Sequence, residues 1–311
     1  MIVTLTLNAA IDKSTEVEQL IPEKKMRCAE MLIEAGGGGI NVSKAIHELG
    51  GESVAVYFSG GVTGHLLSVL LAEKKIIAKP VEIGGSTREN FVVSELSTNK
   101  QFRFVMPGPA INETELSSII KTIDDIPHVS FLICSGSLPP GVSPQYLGAL
   151  ATFASERKIK LVVDTSGASL LAAYEKGVYL LKPNMSELCY LVGKDYLEQA
   201  EIEDAAKKVI NTGCCKVLVV SMGPSGAMLV TKAGSIRFNA PLVKKQSTVG
   251  AGDSMVAGIV WMLDQGRPLT DAVQFGIACG TAASINKGTQ LFKKEDAFRF
   301  YEWIKSTSSH H

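Results

Sequence analysis

The stretch Val129-Ser130-Phe131-Leu132-Ile133-Cys134 is followed by the turn-rich Ser135-Gly136-Ser137-Leu138-Pro139-Pro140, then by a run from Pro144 to Arg157 with apolar residues near helical spacing, and then by Ile159-Lys160-Leu161-Val162-Val163-Asp164. Short apolar runs bounded by Gly, Pro and polar residues read as buried strands, and the 3.6-residue pattern between them reads as a helix. Outward from this unit, Met1 to Asn8, Ser53 to Phe58, Val178 to Leu181 and Val217 to Ser221 repeat the strand signature. Gly64 to Lys75, Glu113 to Asp124 and Ile202 to Thr212 repeat the helical one. Strands alternating with helices make βαβ units, so the expected fold class is α/β, with a mainly parallel central sheet flanked by helices.

Two stretches break the rhythm. Arg88 to Leu96 and Gln101 to Met106 flank a Thr98-Asn99-Lys100 turn and alternate imperfectly, as a hairpin with one wetter face does. An edge hairpin with solvated charges fits the same pattern. Ser14 to Glu34 is also rich in mixed polar and β-branched residues. Together these are expected to form a small β-sheet lid, inserted at about 12–35 and 86–107 into one domain spanning 1–311. Neither an internal repeat nor a Pro-rich linker divides the chain.

With 46% hydrophobic and 20% charged residues, the 311-residue chain is no disordered polymer. Lys plus Arg number 31 and Asp plus Glu 31, so no global charge draws it to nucleic acid or to an anionic membrane, and an anionic ligand must be met by a local site. The longest stretch without Asp, Glu, Lys or Arg, 126–155, is interrupted by Pro127, Pro139, Pro140 and Pro144, which argues against a membrane span. Six cysteines without a C-x-x-C pair suggest reduced thiols, and Met1 to Asn8 lacks the basic n-region of a secretory signal; both point to the cytoplasm. The terminal Ser308-Ser309-His310-His311 carries no metal argument.

Four segments could carry chemistry. In Ser247-Thr248-Val249-Gly250-Ala251-Gly252-Asp253-Ser254, glycines permit tight turning before the apolar helix that starts at Met255, so several free N–H groups gather at a helix N-terminus, a setting suited to a phosphoryl group. Asp253 is then either a helix cap or a general base toward a hydroxyl, and the motif alone leaves both open. Gly36-Gly37-Gly38-Gly39-Ile40-Asn41 precedes a helix ending at Gly50-Gly51; it brings backbone close to a ligand and offers the Asn41 amide to hydroxyls, or is simply a turn before a core helix. It is neither a P-loop nor a dinucleotide fingerprint, which counts against a nicotinamide dehydrogenase. Lys182-Pro183-Asn184-Met185-Ser186-Glu187 joins a strand to a helix at the carboxyl edge of the sheet. Glu187 suits a hydrated Mg²⁺, and equally suits a capping box with Asn184. Ser221-Met222-Gly223-Pro224-Ser225-Gly226 follows another strand, where a nucleotide contact and an ordinary β-turn both fit.

These pieces occur in one order, together with Thr4-Leu5-Thr6-Leu7-Asn8 and Ser135-Gly136-Ser137-Leu138-Pro139, and in that order the chain resembles the PfkB, or ribokinase-like, family of ATP-dependent carbohydrate kinases over essentially its whole length. Within the family it is similar to the phosphosugar branch. The resemblance implies a ribokinase-like fold, with Asp253 as catalytic base and Gly250, Ala251 and Gly252 as the anion hole. It implies sugar contacts at Asp12, Gly36, Gly37, Asn41 and Ser137. Lys182, Asn184, Ser221, Gly223, Gly226 and Thr248 fall on the ATP side, with Glu187 toward Mg²⁺. A monovalent cation such as K⁺, held by backbone near Val249 and by the Ala283 to Gly288 turn, is a further implication.

A sugar that already carries a phosphate needs cations, and the lid offers Lys25, Arg27, Arg88 and Arg103. Any one of them taken alone fits solvated surface charge equally well. Lys25 and Arg88 rank first because they match phosphosugar-contacting positions of the resembling kinases. Fructose 1-phosphate and tagatose 6-phosphate kinases typically show Gly-Lys-Gly in the glycine turn, where this chain has Gly37; the all-glycine turn, with Arg103-Phe104-Val105-Met106-Pro107-Gly108, resembles the minor PfkB-type 6-phosphofructokinases. Fructose 6-phosphate is the expected substrate, related ketohexose phosphates are the alternatives, and a non-catalytic phosphosugar or nucleotide sensor is the reading from another class. The lid sheet is expected to pair with that of a second subunit, burying Phe91, Phe102 or Phe104 in a homodimer.

Overall fold

The computed structural model describes residues 1–286, 288 and 290–308. The chain runs β1 (Ile2–Thr6), β2 (Ala10–Val17), β3 (Leu32–Gly36), α1 (Gly38–Glu48), β4 (Ser53–Ser59), α2 (Gly61–Glu73), β5 (Ile77–Glu82), β6 (Arg88–Glu95), β7 (Lys100–Phe104), α3 (Glu113–Asp124) and β8 (Phe131–Ser135). It continues with α4 (Gln145–Glu156), β9 (Lys160–Asp164), α5 (Gly167–Lys176), β10 (Val178–Leu181), α6 (Met185–Leu191), α7 (Ile202–Asn211) and β11 (Cys215–Ser221). The last elements are β12 (Ala227–Thr231), β13 (Gly234–Phe238), α8 (Ala251–Asp264), α9 (Leu269–Ser284) and α10 (Lys294–Ser308).

Nine strands form the main sheet in the order β13-β12-β11-β10-β9-β8-β1-β4-β5. All neighbours from β11 to β5 pair in parallel; the strands from β11 to β4 are largely buried and are covered by helices on both faces, while β5 at the edge is mostly exposed. One layer of core gathers Leu5, Ile119, Leu132 and Leu218; the other gathers Ile46, Ile133, Val256 and Phe275. The chain crosses over at β1, which has β4 on one side and β8 on the other; the crevice outside the strands' carboxyl ends at such a reversal is where ligands of α/β sheets sit.

The sequence expectation misses the edges. β12 and β13 add an antiparallel hairpin, and β5 carries Pro80, which an edge strand tolerates because it pairs only with β4. Helix α9 is also missed: its Ala, Gly and Cys residues lack an amphipathic stripe because it is buried nearly all round against α8. Gly258 and Gly276 make that approach close; a Cβ on Gly258 would stand 2.7 Å from Cys279 Sγ, and one on Gly276 2.5 Å from Ile259 Cγ1. This contact fixes the axis along which the first turn of α8 points.

The second sheet runs β3-β2-β6-β7 and projects from the carboxyl side. The expected lid sheet is present, and only its extent differs. The strands are only the ends of the first insertion, leaving 18–31 as an irregular exposed loop, and β2 begins at Ala10. The sheet is mixed, because β2 pairs with β6 in parallel, Ala10 opposite Arg88 and Asp12 opposite Asn90. No helix among the described residues is long and apolar enough to cross a membrane.

Candidate active site

At the start of α8, Gly250 is the N-cap, with φ 70° in the left-handed region that glycine occupies without cost. The helix has no side-chain cap: Asp253, at its third residue, turns away from the N-terminal amides. Its carboxylate is held across the crevice, with Asn41 Nδ2 donating to Oδ2 at 3.0 Å and Ser135 Oγ donating to Oδ1 at 2.9 Å. Burial and the nearby charge of Asp164 push its pKa up to about 6, against the opposing pull of Asn41, Ser135 and Lys182. A carboxylate so placed is ionised at neutral pH yet basic enough to take a proton.

Beneath the glycine loop lies a buried ion pair, Lys182 Nζ to Asp164 at 3.0 Å. A Cβ at Gly252 would lie 3.4 Å from that ammonium, so positive charge stands directly under the loop amides. Burial acts to lower the Lys182 pKa, but the charge and hydrogen bond of Asp164 outweigh it and raise it. Around this point a cavity of about 500 Å³ opens. Lys182, Asn184, Ser221, Gly223, Gly226 and Thr248 all line it, as do Ala251 and Gly252. Its apolar wall comes from Val243, Met255 and Ile277. Asn184 and Glu187 do form a capping box, Glu187 N to Asn184 Oδ1 at 3.0 Å and Asn184 N to Glu187 Oε2 at 2.8 Å. That box employs one carboxylate oxygen of Glu187. Its half-buried carboxyl, raised in pKa by burial, supplies the sparse oxygen set that Mg²⁺ accepts when phosphate and water complete its shell.

On the opposite side, the glycine turn packs where side chains would collide. A Cβ at Gly36 would meet the Asp12 carboxylate at 2.0 Å, and one at Gly38 the Ser135 hydroxyl at 2.3 Å. Gly37, with φ 114°, is closed to other residues by backbone as well as by Thr6 Cγ2 at 2.6 Å. Asp12 accepts from Asn90 Nδ2 at 2.8 Å, and Met106 N donates to Asn90 Oδ1 at 3.1 Å, which fixes the amide's orientation. Burial raises the Asp12 pKa.

The cations divide. Arg88 donates from Nη1 to Met106 O at 2.7 Å and from Nη2 to Asn8 O at 2.8 Å, tying the lid to the end of β1, and its buried Nε has no partner among the described residues. Arg103 reaches Thr248 Oγ1 at 2.9 Å, so this residue of the nucleotide side is also the point where the lid touches the body. Lys25 and Arg27 lie exposed in the 18–31 loop, which has no regular secondary structure. Ser137 accepts from Asn8 Nδ2 at 3.2 Å, and it is Ser135, two residues earlier, that touches Asp253. Sequence reasoning missed Ser135, Asp164 and Asn90. Asp164 had one signal, an acidic residue ending a buried strand. The proposed cation turn, Ala283 to Gly288, includes residue 287, which lies outside the described residues.

The chain is 41% identical over 304 residues to the ATP-dependent 6-phosphofructokinase isozyme 2 of Escherichia coli, covering 97% of this chain and 98% of that one. It is 31% identical over 286 residues to the 1-phosphofructokinase of Borreliella burgdorferi, at 92% coverage of each. The crystal structure of phosphofructokinase-2 from Escherichia coli in complex with potassium superposes with a TM-score of 0.94 at 41% identity, covering 98% of this chain and 99% of that one. The profile of the pfkB family carbohydrate kinases matches residues 2–296, and the chain belongs to that family.

Proposed function

We propose that this chain is an ATP-dependent 6-phosphofructokinase, transferring the γ-phosphoryl of ATP to the C1 hydroxyl of fructose 6-phosphate. The observation that carries the reading is Asp253. An acidic residue in the first turn of a helix ordinarily caps it, and this one is instead held by Asn41 and Ser135 between the glycine turn and the anion-binding loop. The choice among ketohexose phosphates rests on the higher identity to the 6-phosphofructokinase than to the 1-phosphofructokinase, and on Gly37, where backbone and Thr6 leave no room for a lysine.

In this reading ATP occupies the cavity lined by Lys182, Asn184, Ser221, Gly223, Gly226 and Thr248. Glu187 would hold Mg²⁺, which would supply neutralisation of the phosphate charge. Asp12 and Asn41 orient the sugar hydroxyls, Arg88 and Arg103 face its phosphate, and Asp253 takes the hydroxyl proton as the phosphoryl moves in line. The amides of Gly250 to Gly252, with Lys182 beneath them, meet the charge that develops on the phosphoryl oxygens. The Escherichia coli relative's complex with potassium supports a monovalent cation beside Val249. The chain works as one kinase domain, 1–311, with lid insertions at about 12–35 and 86–107, in the cytoplasm. Its lid exposes Ile33, Phe102 and Phe104 at 39%, 39% and 49%, on the face they share with Phe91, an apolar face that a second subunit's lid covers in a homodimer. The test is ADP release with ATP and Mg²⁺ against fructose 6-phosphate, fructose 1-phosphate and tagatose 6-phosphate. Preference for the first supports the reading, preference for another reassigns the substrate, and no turnover with any replaces the kinase by a sensor.

A further inference from the structure

At the amino ends of β9, β10 and β11, on the edge of the sheet opposite the crevice, lies a cavity of about 440 Å³. Four lysines line it, Lys158, Lys160, Lys176 and Lys216, with Tyr179 and Cys214, and no carboxylate is among its lining residues. None of the four has an ion pair among the described residues; the neighbouring Arg157, by contrast, is engaged by Asp124 and Glu156. Lys160 is braced from one side, its Nζ 5.0 Å from the Phe131 ring centre and 5.2 Å from that of Tyr179.

A structural reason for lysines at this edge exists, since α4, α5 and α7 all end here and a helix C-terminus attracts cations. The magnitudes decide against it as the whole reason. All four ammonium groups are exposed and solvated, and three C-termini carrying roughly half a negative charge each match only about one and a half of the four positive charges. In a chain of zero net charge, a concave cluster of like charges is a local exception that an anion relieves. The volume falls within the range of small-molecule sites. Lysines act as point charges and read no fixed fork geometry, so the chemistry selected is charge density, not a single planar carboxylate. The five residues of β9 separate Lys160 from Asp164 by roughly 13 Å at the ordinary strand rise, so the cavity shares no residue with the crevice.

We propose that this cavity is a second ligand site, taking a compact polyanion that carries two or more phosphate groups. Inorganic tripolyphosphate is the probe, titrated calorimetrically into the full chain with the nucleotide cavity already filled by a non-hydrolysable ATP analogue and Mg²⁺. One equivalent should bind, with an affinity that falls steeply as salt rises, and the paired change Lys176→Gln and Lys216→Gln should weaken it tenfold or more while ADP release stays unchanged. In the unaltered protein, tripolyphosphate should also shield Lys158, Lys160, Lys176 and Lys216 from acetylation read by mass spectrometry. Absence of binding once the nucleotide cavity is filled, equal affinity in the double variant, or unshielded lysines would each overturn the site.

Discussion

The two halves of the crevice are built by different means. The nucleotide half is assembled from strand ends and a helix start, with backbone amides, a buried Lys182–Asp164 pair and an apolar wall already in place. The sugar half is split between body and lid, with Asp12 and Arg88 hydrogen-bonded into the lid's base while Lys25 and Arg27 stand in solvent. One half is therefore a preorganised surface, and in the proposed reading, where that half takes ATP, the phosphosugar completes the other half by drawing the lid over itself. Asp253 sits on the boundary, touched from the body by Ser135 and from the glycine-turn helix by Asn41.

The contrast can be broken at several points. Asp253→Asn removes the base from the boundary and should lower kcat by about 10² to 10⁴, the ordinary worth of a general base, while calorimetry shows both ligands still bound. Near-normal turnover would sink the assignment. On the preorganised side, Asp164→Ala strands a buried ammonium and should cost about 3–5 kcal/mol of stability, read from denaturant unfolding. Arg88→Ala tests the assembled side. Hydrogen bonds to charged groups contribute about 1.5–3 kcal/mol, so the KM for fructose 6-phosphate should rise at least tenfold with the KM for ATP unchanged. A rise confined to ATP would put the phosphosugar on the wrong side. The smallest effect belongs to Lys25→Ala, whose solvated charge should change the sugar KM by about twofold to fivefold. A loss matching that of Arg88 would mean that the 18–31 loop closes fully over the sugar.

Much of the nucleotide half is legible in the sequence, because its parts are local: Gly250 to Gly252 followed by an apolar helix, or Lys182-Pro183-Asn184 at the end of a strand, carry their geometry in consecutive residues. Asp164 was not legible. Its meaning comes from Lys182, which parallel pairing brings alongside from the next strand. Asn90 was hidden in the same way, since its partner Asp12 lies opposite it only because β2 and β6 pair in parallel, where a hairpin pattern suggests nothing of the kind. The capping box at Asn184 and Glu187 was anticipated as one of two readings and is present, while the cap reading of Asp253 is not. Helix α9 and the edge strands escaped because burial on all sides, or exposure on one edge, erases the periodicity by which elements are recognised.

Asp253 couples the two halves, and its protonation is the quantity to measure. A general base must be ionised to act, and the Asp253 pKa stands at about 6, raised by burial and by Asp164. The measurement is kcat/KM for fructose 6-phosphate against pH, in the unaltered protein and in Asp164→Asn. It should be level above neutrality, fall tenfold per unit below about 6, and keep its shape in Asp164→Asn with the acid limb moved to lower pH, because the charge that raises the pKa is gone. A profile that stays flat down to pH 5, or an acid limb that Asp164→Asn moves upward, would contradict Asp253 as the base.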